Sequence, residues 1–406
     1  MDARSLAWPF FDPAHRSEAA SYAQWCSDAL PSLLASESAG SQTVYATVAE
    51  MVRGLGRAGL LRACADAHYG GLRDTVEVRS LCIAREVLAE ASGLADFAFA
   101  MQGLGAAPIS LFGTDEQKQH YLPGIVDGSR IGAFALSEPN AGSDVAAITT
   151  TATRSNEGWR LDGVKTWISN AGIASQYVVF ARTGEGPGSK GLSAFVVDAS
   201  CTGLRVEPIE VMAPHPLGTL HLEACQVPAQ ALLGSRGTGF AIAMATLDLF
   251  RSSVGAAALG FARRAFREAA HHASQREMFG RKLLDMQLTQ LKLGEMALAI
   301  DASALLIYRA AWTRDVLGSR ITREASMAKL FATESAQQVI DGAVQLLGGL
   351  GIVRGTIVER LYREIRALRI YEGATEVLKL VIGAKAASEI LQGDPAESAR
   401  QTPAKS

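Results

Sequence analysis

From Thr43 to Gln119 the apolar residues recur three and four apart, first in VYATVAEMVR and again in SLCIAREVLAEA, the spacing of a buried helix face. Tyr69-Gly70-Gly71 interrupts the pattern with a turn signal. From Ile131 the period becomes two. TATRSNEGWRLDGVKTWIS, SQYVVFART, GLSAFVVDA and GTLHLEACQV are short, rich in β-branched and aromatic residues and punctuated by Gly and Asp, as strands are. Asp162-Gly163, between WRL and VKTWIS, predicts a hairpin turn. Past Gly239 helical spacing returns, with Leu284, Leu288, Leu291 and Leu298 on one stripe and Met327, Leu330, Phe331, Ile340, Val344 and Leu347 on another. Helices, then a mainly antiparallel β block, then helices again predict an α+β fold and argue against a doubly wound parallel sheet.

The chain has 406 residues, which at ~150 per domain suggests two or three domains. The pattern divides it into an N-terminal α domain over 1–130, a β domain over 131–240, a C-terminal α domain over 241–392 and a polar, disordered tail over 393–406. The first ~20 residues are expected to be mobile. Apolar residues make up 48% and charged residues 20%, and the formal charge is −2, so a disordered chain and a polybasic nucleic-acid binder are excluded. No apolar stretch approaches the roughly 18 residues of a membrane helix, and the start MDARSLAWPFFDPAHR lacks the basic segment followed by an apolar one of a signal peptide, so a cytoplasmic protein without membrane insertion is expected. The five cysteines, Cys26, Cys64, Cys82, Cys201 and Cys225, are scattered and read as buried free thiols, with neither a disulfide framework nor a metal site.

A G-x-G-x-x-G occurs at Gly54, Gly56 and Gly59, but it follows a helical segment instead of a strand and reads as a helix end. Walker A, H-E-x-x-H and G-x-S-x-G sequences are absent, and the adjacent His271 and His272 point to different sides of a helix. Four segments carry denser chemistry. Ser137-Glu138-Pro139-Asn140-Ala141-Gly142-Ser143-Asp144 is a small-residue loop whose N–H groups could approach an anion or a ring edge, or form only a turn. In Lys165-Thr166-Trp167-Ile168-Ser169-Asn170, Trp167 and Ser169 are two apart and share a strand face, which suits a flat heteroaromatic ligand and equally a half-buried sheet. Gln345-Leu346-Leu347-Gly348-Gly349-Leu350-Gly351 closes a helix, and Ile370-Tyr371-Glu372-Gly373-Ala374-Thr375-Glu376 sets a carboxylate between an aromatic residue and a glycine.

In this order and spacing the four segments resemble the acyl-CoA dehydrogenase family of flavoproteins. YGGL at Tyr69, GTDEQKQHYLPGI at Gly113, LLGSRGTGF at Leu232, LDLFR at Leu247 and SQREMFGRKLLDMQ at Ser274 extend the resemblance over residues 50 to 392. It implies an N-terminal all-α domain, a middle antiparallel β domain and a C-terminal four-helix-bundle α domain. It implies FAD held by Phe134, Leu136, Ser137, Gly142, Ser143, Trp167, Ser169, Gln287 and Glu376, with Arg276, Phe279, Gln345 and Gly349 reaching the FAD of a neighbouring subunit. A homotetramer or homodimer follows from that sharing. The acyl thioester is expected against Ser143, Asp248, Phe250, Arg251, Tyr371 and Gly373, and Glu372 matches the catalytic base.

Some members of the family place that base just before the Arg of the LDLFR segment, where this chain has Phe250, which takes no proton. The implied reaction is α,β-dehydrogenation of an acyl-CoA, with an electron-transferring flavoprotein as acceptor. Dehydrogenation of a carrier-protein-bound acyl group is the alternative enzyme, and a non-catalytic flavin-binding protein the alternative of another class. Ala374, Ile352, Leu378 and Glu364 depart from residues usual in the family.

Overall fold

The structure, a computed structural model, describes residues 4–38 and 43–392; the expected tail over 393–406 lies outside them. Six helices come first: α1 (Pro13–Asp28), α2 (Leu30–Ser38), α3 (Val44–Arg57), α4 (Val78–Ala91), α5 (Gly93–Phe112) and α6 (Asp115–Val126). Their starts carry local signals. Pro13 opens α1 behind Asp12, Thr43 caps α3 by accepting the Ala46 N–H at 3.2 Å, and Thr114 and Gln117 form a reciprocal capping box on α6. The G-x-G-x-x-G glycines close α3, as expected, with Gly59 in the left-handed region.

The segment expected to be mobile is instead packed. Phe11 and Tyr22 are buried, the Phe11 ring meets Tyr308 at 4.6 Å, and the Tyr22 hydroxyl donates to Leu60 O at 2.7 Å. Asp12, His15 and Glu77 also converge, which sequence spacing did not suggest. His15 Nδ1 accepts the Asp12 N–H at 2.9 Å, so its proton lies on Nε2, which faces Glu77 at 3.1 Å. Burial pushes Glu77 up, but His15, Ser80 and Arg79 outweigh it and bring the carboxyl to about 2. Arg79, paired with both Asp12 and Glu77, completes a polar network that fastens α1 to α4.

The β block holds β1 (Gly132–Ala135), β2 (Thr151–Ser155), β3 (Gly158–Ser169), β4 (Gln176–Arg182), β5 (Leu192–Asp198), β6 (Leu204–Pro208), β7 (Leu217–Pro228) and β8 (Leu232–Leu233). The order across the sheet is β6-β7-β3-β2-β4-β5-β8, with β1 beside β4. Most pairs are antiparallel; β1 runs parallel to β4. The predicted hairpin at Asp162-Gly163 does not occur. The turn lies at Asn156-Glu157, where Ser155 faces Gly158, and Gly163 instead marks a bulge within β3. Its φ of +153 and the Thr150 side chain, 2.5 Å from where a Cβ would sit, require glycine there.

Two cysteines read as free thiols are joined. Continuing the antiparallel register Leu204↔Leu222 outward by three residues on each strand puts Cys201 opposite Cys225, and the two form a disulfide with Cα atoms 6.4 Å apart. Cys26, Cys64 and Cys82 are free.

The C-terminal helices are α7 (Gly239–Gln275), α8 (Gln287–Leu317), α9 (Thr322–Leu347), α10 (Ile357–Leu368) and α11 (Thr375–Gln392). α7 runs through the molecule and packs on both α4 and α9. The helix interfaces are built from small residues: Ala256, Ala257, Ala258, Ala265, Ala328, Ala332 and Ala336 are buried, and a Cβ on Gly260 would lie 2.4 Å from Glu86 O. The predicted stripe on α8 does not form the core, because Leu288, Leu291 and Leu298 are exposed; on α9 the predicted Ile340 is buried and Phe331 is exposed, with alanines taking much of the buried face. Contrary to expectation, α5 and α7 are each long and apolar enough to cross a membrane, but the apolar windows are mostly buried inside the protein. They are the central helices of the core.

Candidate active site

Three groups of predicted residues emerge. In the first, α7 carries Asp248, Phe250 and Arg251 to the corner between α10 and α11 that contains Tyr371, Glu372 and Gly373. Arg251 Nη1 donates to Asp248 Oδ1 at 2.6 Å, and Arg251 Nε donates to the Glu372 carbonyl at 3.4 Å. Asp248 Oδ2 accepts from the Thr322 hydroxyl at 2.8 Å. Lys329, buried on α9 and missed by sequence reasoning, donates from Nζ to the Gly373 carbonyl at 2.6 Å. Two cations on two helices thus hold successive carbonyls of the corner. Glu372 has a φ of 53 and Gly373 one of 108, and Leu378, a departure from the family pattern, lies 2.8 Å from where a Cβ on Gly373 would sit.

The carboxylate held this way is unusual. Glu372 Oε2 is sealed from solvent and has no hydrogen-bond partner among the described residues. Burial pushes its pKa above the ordinary carboxylate value; Arg85, Lys329 and Arg251 pull it down and Asp96 pushes it up. Burial likewise brings Lys329 down to about 8, against the attraction of Glu372. Phe250 is 1% exposed and its ring sits over Gly103 of α5, where a Cβ would meet Phe250 Cζ at 2.7 Å. Gly103→Ala is therefore expected to lower stability by about 1–3 kcal/mol through overpacking. A thermal melt of Gly103→Ala beside Gly103→Ala/Phe250→Ala checks this, since the second variant removes the ring that clashes.

The second group joins the loop after β1 to β3. Thr166 N–H donates to Ser137 O at 3.0 Å, and Lys165 Nζ donates to Leu136 O at 3.0 Å and to Glu138 Oε1 at 2.8 Å. Glu138 also accepts the N–H groups of Thr149 at 2.6 Å and Thr150 at 2.9 Å. Burial raises Glu138, but Lys165 outweighs it and brings the carboxyl to about 2, while burial lowers Lys165 to about 8. This pair sets Leu136 and Ser137 beside the strand that bears Trp167 and Ser169. Phe134, on β1, packs its ring 5.0 Å from Phe180. The same-face argument for Trp167 and Ser169 fails in its premise: Trp167 has a φ of 59 and lies where the β3–β7 register shifts. The irregularity leaves Trp167 60% exposed.

Arg276, Phe279, Gln287, Gln345 and Gly349 form a third, exposed set. Arg276 and Phe279 lie between α7 and α8, and Gln345 and Gly349 at the end of α9. Among the described residues the side chains of Arg276, Phe279, Gln287 and Gln345 meet neither a hydrogen-bond partner nor an aromatic ring. Phe279 is 87% exposed with a φ of 52. Glu376 is exposed on the first turn of α11, and Ser143 is exposed in the loop after Glu138.

Among the described residues, five that are not glycine have positive φ: Trp167, Asn170, Ala224, Phe279 and Glu372. Three of them are predicted site residues, and such conformations cost about 1–3 kcal/mol each and concentrate where function holds them. An exposed indole near a half-buried hydroxyl, with open space above Gly142 and Gly349, fits a flat ring and an extended, anionic cofactor arm. These features fit FAD.

The residues that sequence reasoning missed are buried ions: Arg85, Asp96, Lys329 and the Glu138–Lys165 pair. For those on helices, a charge set within an apolar face, as Arg85 is in SLCIAREVL, is the signal the sequence carries. Glu364, on α10, lies against Gly93, where a Cβ would come within 2.7 Å of its Oε2. Burial pushes it up to about 7 despite Arg360 and Arg363.

Comparison with known proteins agrees. Residues 14–129, 133–225 and 237–387 match the N-terminal, middle and C-terminal domains of acyl-CoA dehydrogenase. The chain is 38% identical to the 3-(aryl)acrylate reductase of Clostridium sporogenes over 82% of its own length and 89% of the relative's. Butyryl-CoA dehydrogenase from Megasphaera elsdenii superposes with a TM-score of 0.86 at 32% identity, covering 93% of this chain and 99% of that one. The prolyl acyl carrier protein oxidase AnaB superposes at 0.85 and 28% identity, covering 94% and 100%.

Proposed function

Because the chain belongs to the acyl-CoA dehydrogenase family, FAD-dependent oxidoreductases acting on CH–CH donors, we propose that it converts an acyl-CoA to the 2-enoyl-CoA with Glu372 as the base. The observation that carries this reading is the sealed, unpartnered Oε2 of Glu372 on a backbone corner held by Arg251 and Lys329. The α-proton of a thioester is weakly acidic, and a carboxylate stripped of water and hydrogen bonds is a stronger base than one in solvent. When bound, FAD supplies the two-electron acceptor for the β-hydride.

The chain's own residues do the rest. Glu372 Oε2 takes the α-proton. Arg251 and Lys329 fix the corner so that the carboxylate does not have to be reordered during reaction. Phe250, buried beside Arg251, keeps water from the base on the α7 side. Leu136, Ser137, Gly142, Ser143, Trp167 and Ser169 supply one wall for the flavin ring, with Phe134 behind it. Ser143, Asp248, Tyr371 and Gly373 face the thioester.

Arg276, Phe279, Gln345 and Gly349 serve a second copy of the chain, a role supported by their exposure and by the exposed Leu288, Leu291 and Leu298 on α8. Arg276→Ala should then weaken flavin retention. Measuring bound flavin after dialysis checks this, and full occupancy would count against the shared site.

Anaerobic addition of acyl-CoAs to the FAD-loaded protein tests the function. Bleaching of the visible flavin absorbance is expected with at least one acyl-CoA. The second reading, a carrier-bound acyl substrate, draws on the similarity to AnaB. It predicts bleaching by the carrier-loaded thioester and not by the CoA ester. Failure of both would leave a flavin-binding protein without this activity.

A further inference from the structure

Charged side chains reach the candidate base from four helices: Arg85 on α4, Asp96 on α5, Arg251 with its partner Asp248 on α7, and Lys329 on α9. Arg251 and Lys329 spend their donors on the carbonyls of Glu372 and Gly373. Arg85 is arranged differently. It is 1% exposed, and its Nε and Nη2 meet the two oxygens of Asp96 at 2.8 and 2.9 Å in a bidentate pair. Its Nη1 donates to the Ser253 hydroxyl at 3.2 Å, and that hydroxyl donates to Phe250 O at 2.8 Å. The guanidinium charge also acts on Tyr371, the residue before the candidate base.

Packing does not require this ion pair. The surrounding faces of α4, α5 and α7 are Leu81, Ala84, Leu88, Ala95, Phe99, Val254 and Ala257, all buried. Burying two ions among them costs several kcal/mol per ion before their attraction is counted, and apolar residues of similar volume are often as stable or more so. A charge kept at that cost, tied through Ser253 to the Phe250 carbonyl next to Arg251, points to a role in the chemistry.

We propose that Arg85, clamped by Asp96, is the positioning residue of the base: through Ser253 it holds the Phe250–Arg251 stretch of α7, whose Arg251 donates to the Glu372 carbonyl, and it fixes a permanent positive charge behind the Glu372 carboxylate. The proposal rests on the reading of Glu372 as base. Arginine stays protonated at every working pH, so its charge is constant. Burial pushes the Glu372 pKa upward; Arg85 opposes that, and Asp96 both orients the guanidinium and offsets part of its charge. The two residues therefore act on the base with opposite sign.

The test is the pH dependence of anaerobic flavin reduction in the FAD-loaded protein, for Arg85→Gln, Asp96→Asn, Arg85→Lys and Glu372→Gln. Rate falls as pH drops through the pKa of the base. Arg85→Gln should move that acid limb to higher pH by about one unit, roughly tenfold in rate at a fixed pH below the limb. Asp96→Asn should move it to lower pH, and Arg85→Lys, which keeps the charge, should leave it within a few tenths of a unit of the parent. A purely structural pair would slow both single variants without moving their limbs in opposite directions, and that outcome overturns the proposal.

Thermal melts and flavin content are read for each variant. Should Arg85→Gln fail to fold, Asp96→Asn still decides: a limb unmoved or shifted upward overturns the proposal. Glu372→Gln separates the two levels, because full activity there removes the base itself, whereas an inactive Glu372→Gln with unmoved limbs in the other variants removes only the role of Arg85.

Discussion

Glu372→Gln should keep its flavin and its fold and lose at least about 10²-fold in the rate of flavin reduction by substrate, the usual scale for a general base. The amide has the shape of the carboxylate but cannot take the α-proton. The corner survives the change, because Arg251 and Lys329 hold the carbonyls of Glu372 and Gly373, which do not depend on the side chain. Loss of one negative charge leaves Arg85, Arg251 and Lys329 less balanced, but Arg85 and Arg251 retain their own carboxylate partners, Asp96 and Asp248. Rate is therefore expected to fall far more than stability. Rapid mixing under anaerobic conditions measures it, and an unchanged rate would remove Glu372 from the mechanism. Phe250 has no proton-accepting atom, so no residue at that position is available to take over.

Glu138→Leu should cost about 3–5 kcal/mol, the penalty for breaking a buried ion pair by removing one partner. Lys165, fully buried, would be left with only the Leu136 carbonyl, and the N–H groups of Thr149 and Thr150 would lose their acceptor. The loop from Leu136 to Ser143 is tied to β3 through this pair, so flavin retention should fall as well. Glu138→Leu/Lys165→Met should recover much of the stability, because no buried charge remains, without restoring flavin affinity. Urea unfolding and flavin content measured together separate the two effects. A single variant within about 1 kcal/mol of the parent would show that the pair is not what holds the loop.

The sign of the pH dependence follows from the same carboxylate. Glu138 sits at about 2 in the folded protein, below its ordinary value near 4.5, so its contribution is fully present above the ordinary value and is lost as pH falls toward 2.

Much of the architecture is legible in the periodicities. The change from a spacing of three and four to one of two at Ile131, and back at Gly239, marks β1 and α7 to within a residue. The misreadings share one physical origin: a local signal was satisfied by a distant partner. Asp162-Gly163 has the composition of a turn, but Gly163 is glycine because Thr150, just before the neighbouring strand β2, occupies the space of a Cβ. Leu288, Leu291 and Leu298 repeat like a core stripe and face outward, while the helix interfaces are alanine faces that a count of large apolar residues passes over. Cys201 and Cys225 look unrelated until β6 and β7 pair.

The sequence by itself determined the order of the three blocks and the four chemistry-bearing segments and offered Glu372, not Phe250, as the candidate base, because each of these is carried by short stretches of the chain. Only the tertiary structure decided how that base is held. Arg251 meets Glu372 across 121 residues, Lys329 meets Gly373 across 44, and Arg85 meets Ser253 across 168. The left-handed corner at Glu372 persists because Arg251 and Lys329 satisfy its carbonyls. No local propensity favours a glutamate in that conformation, and none places a charge behind it.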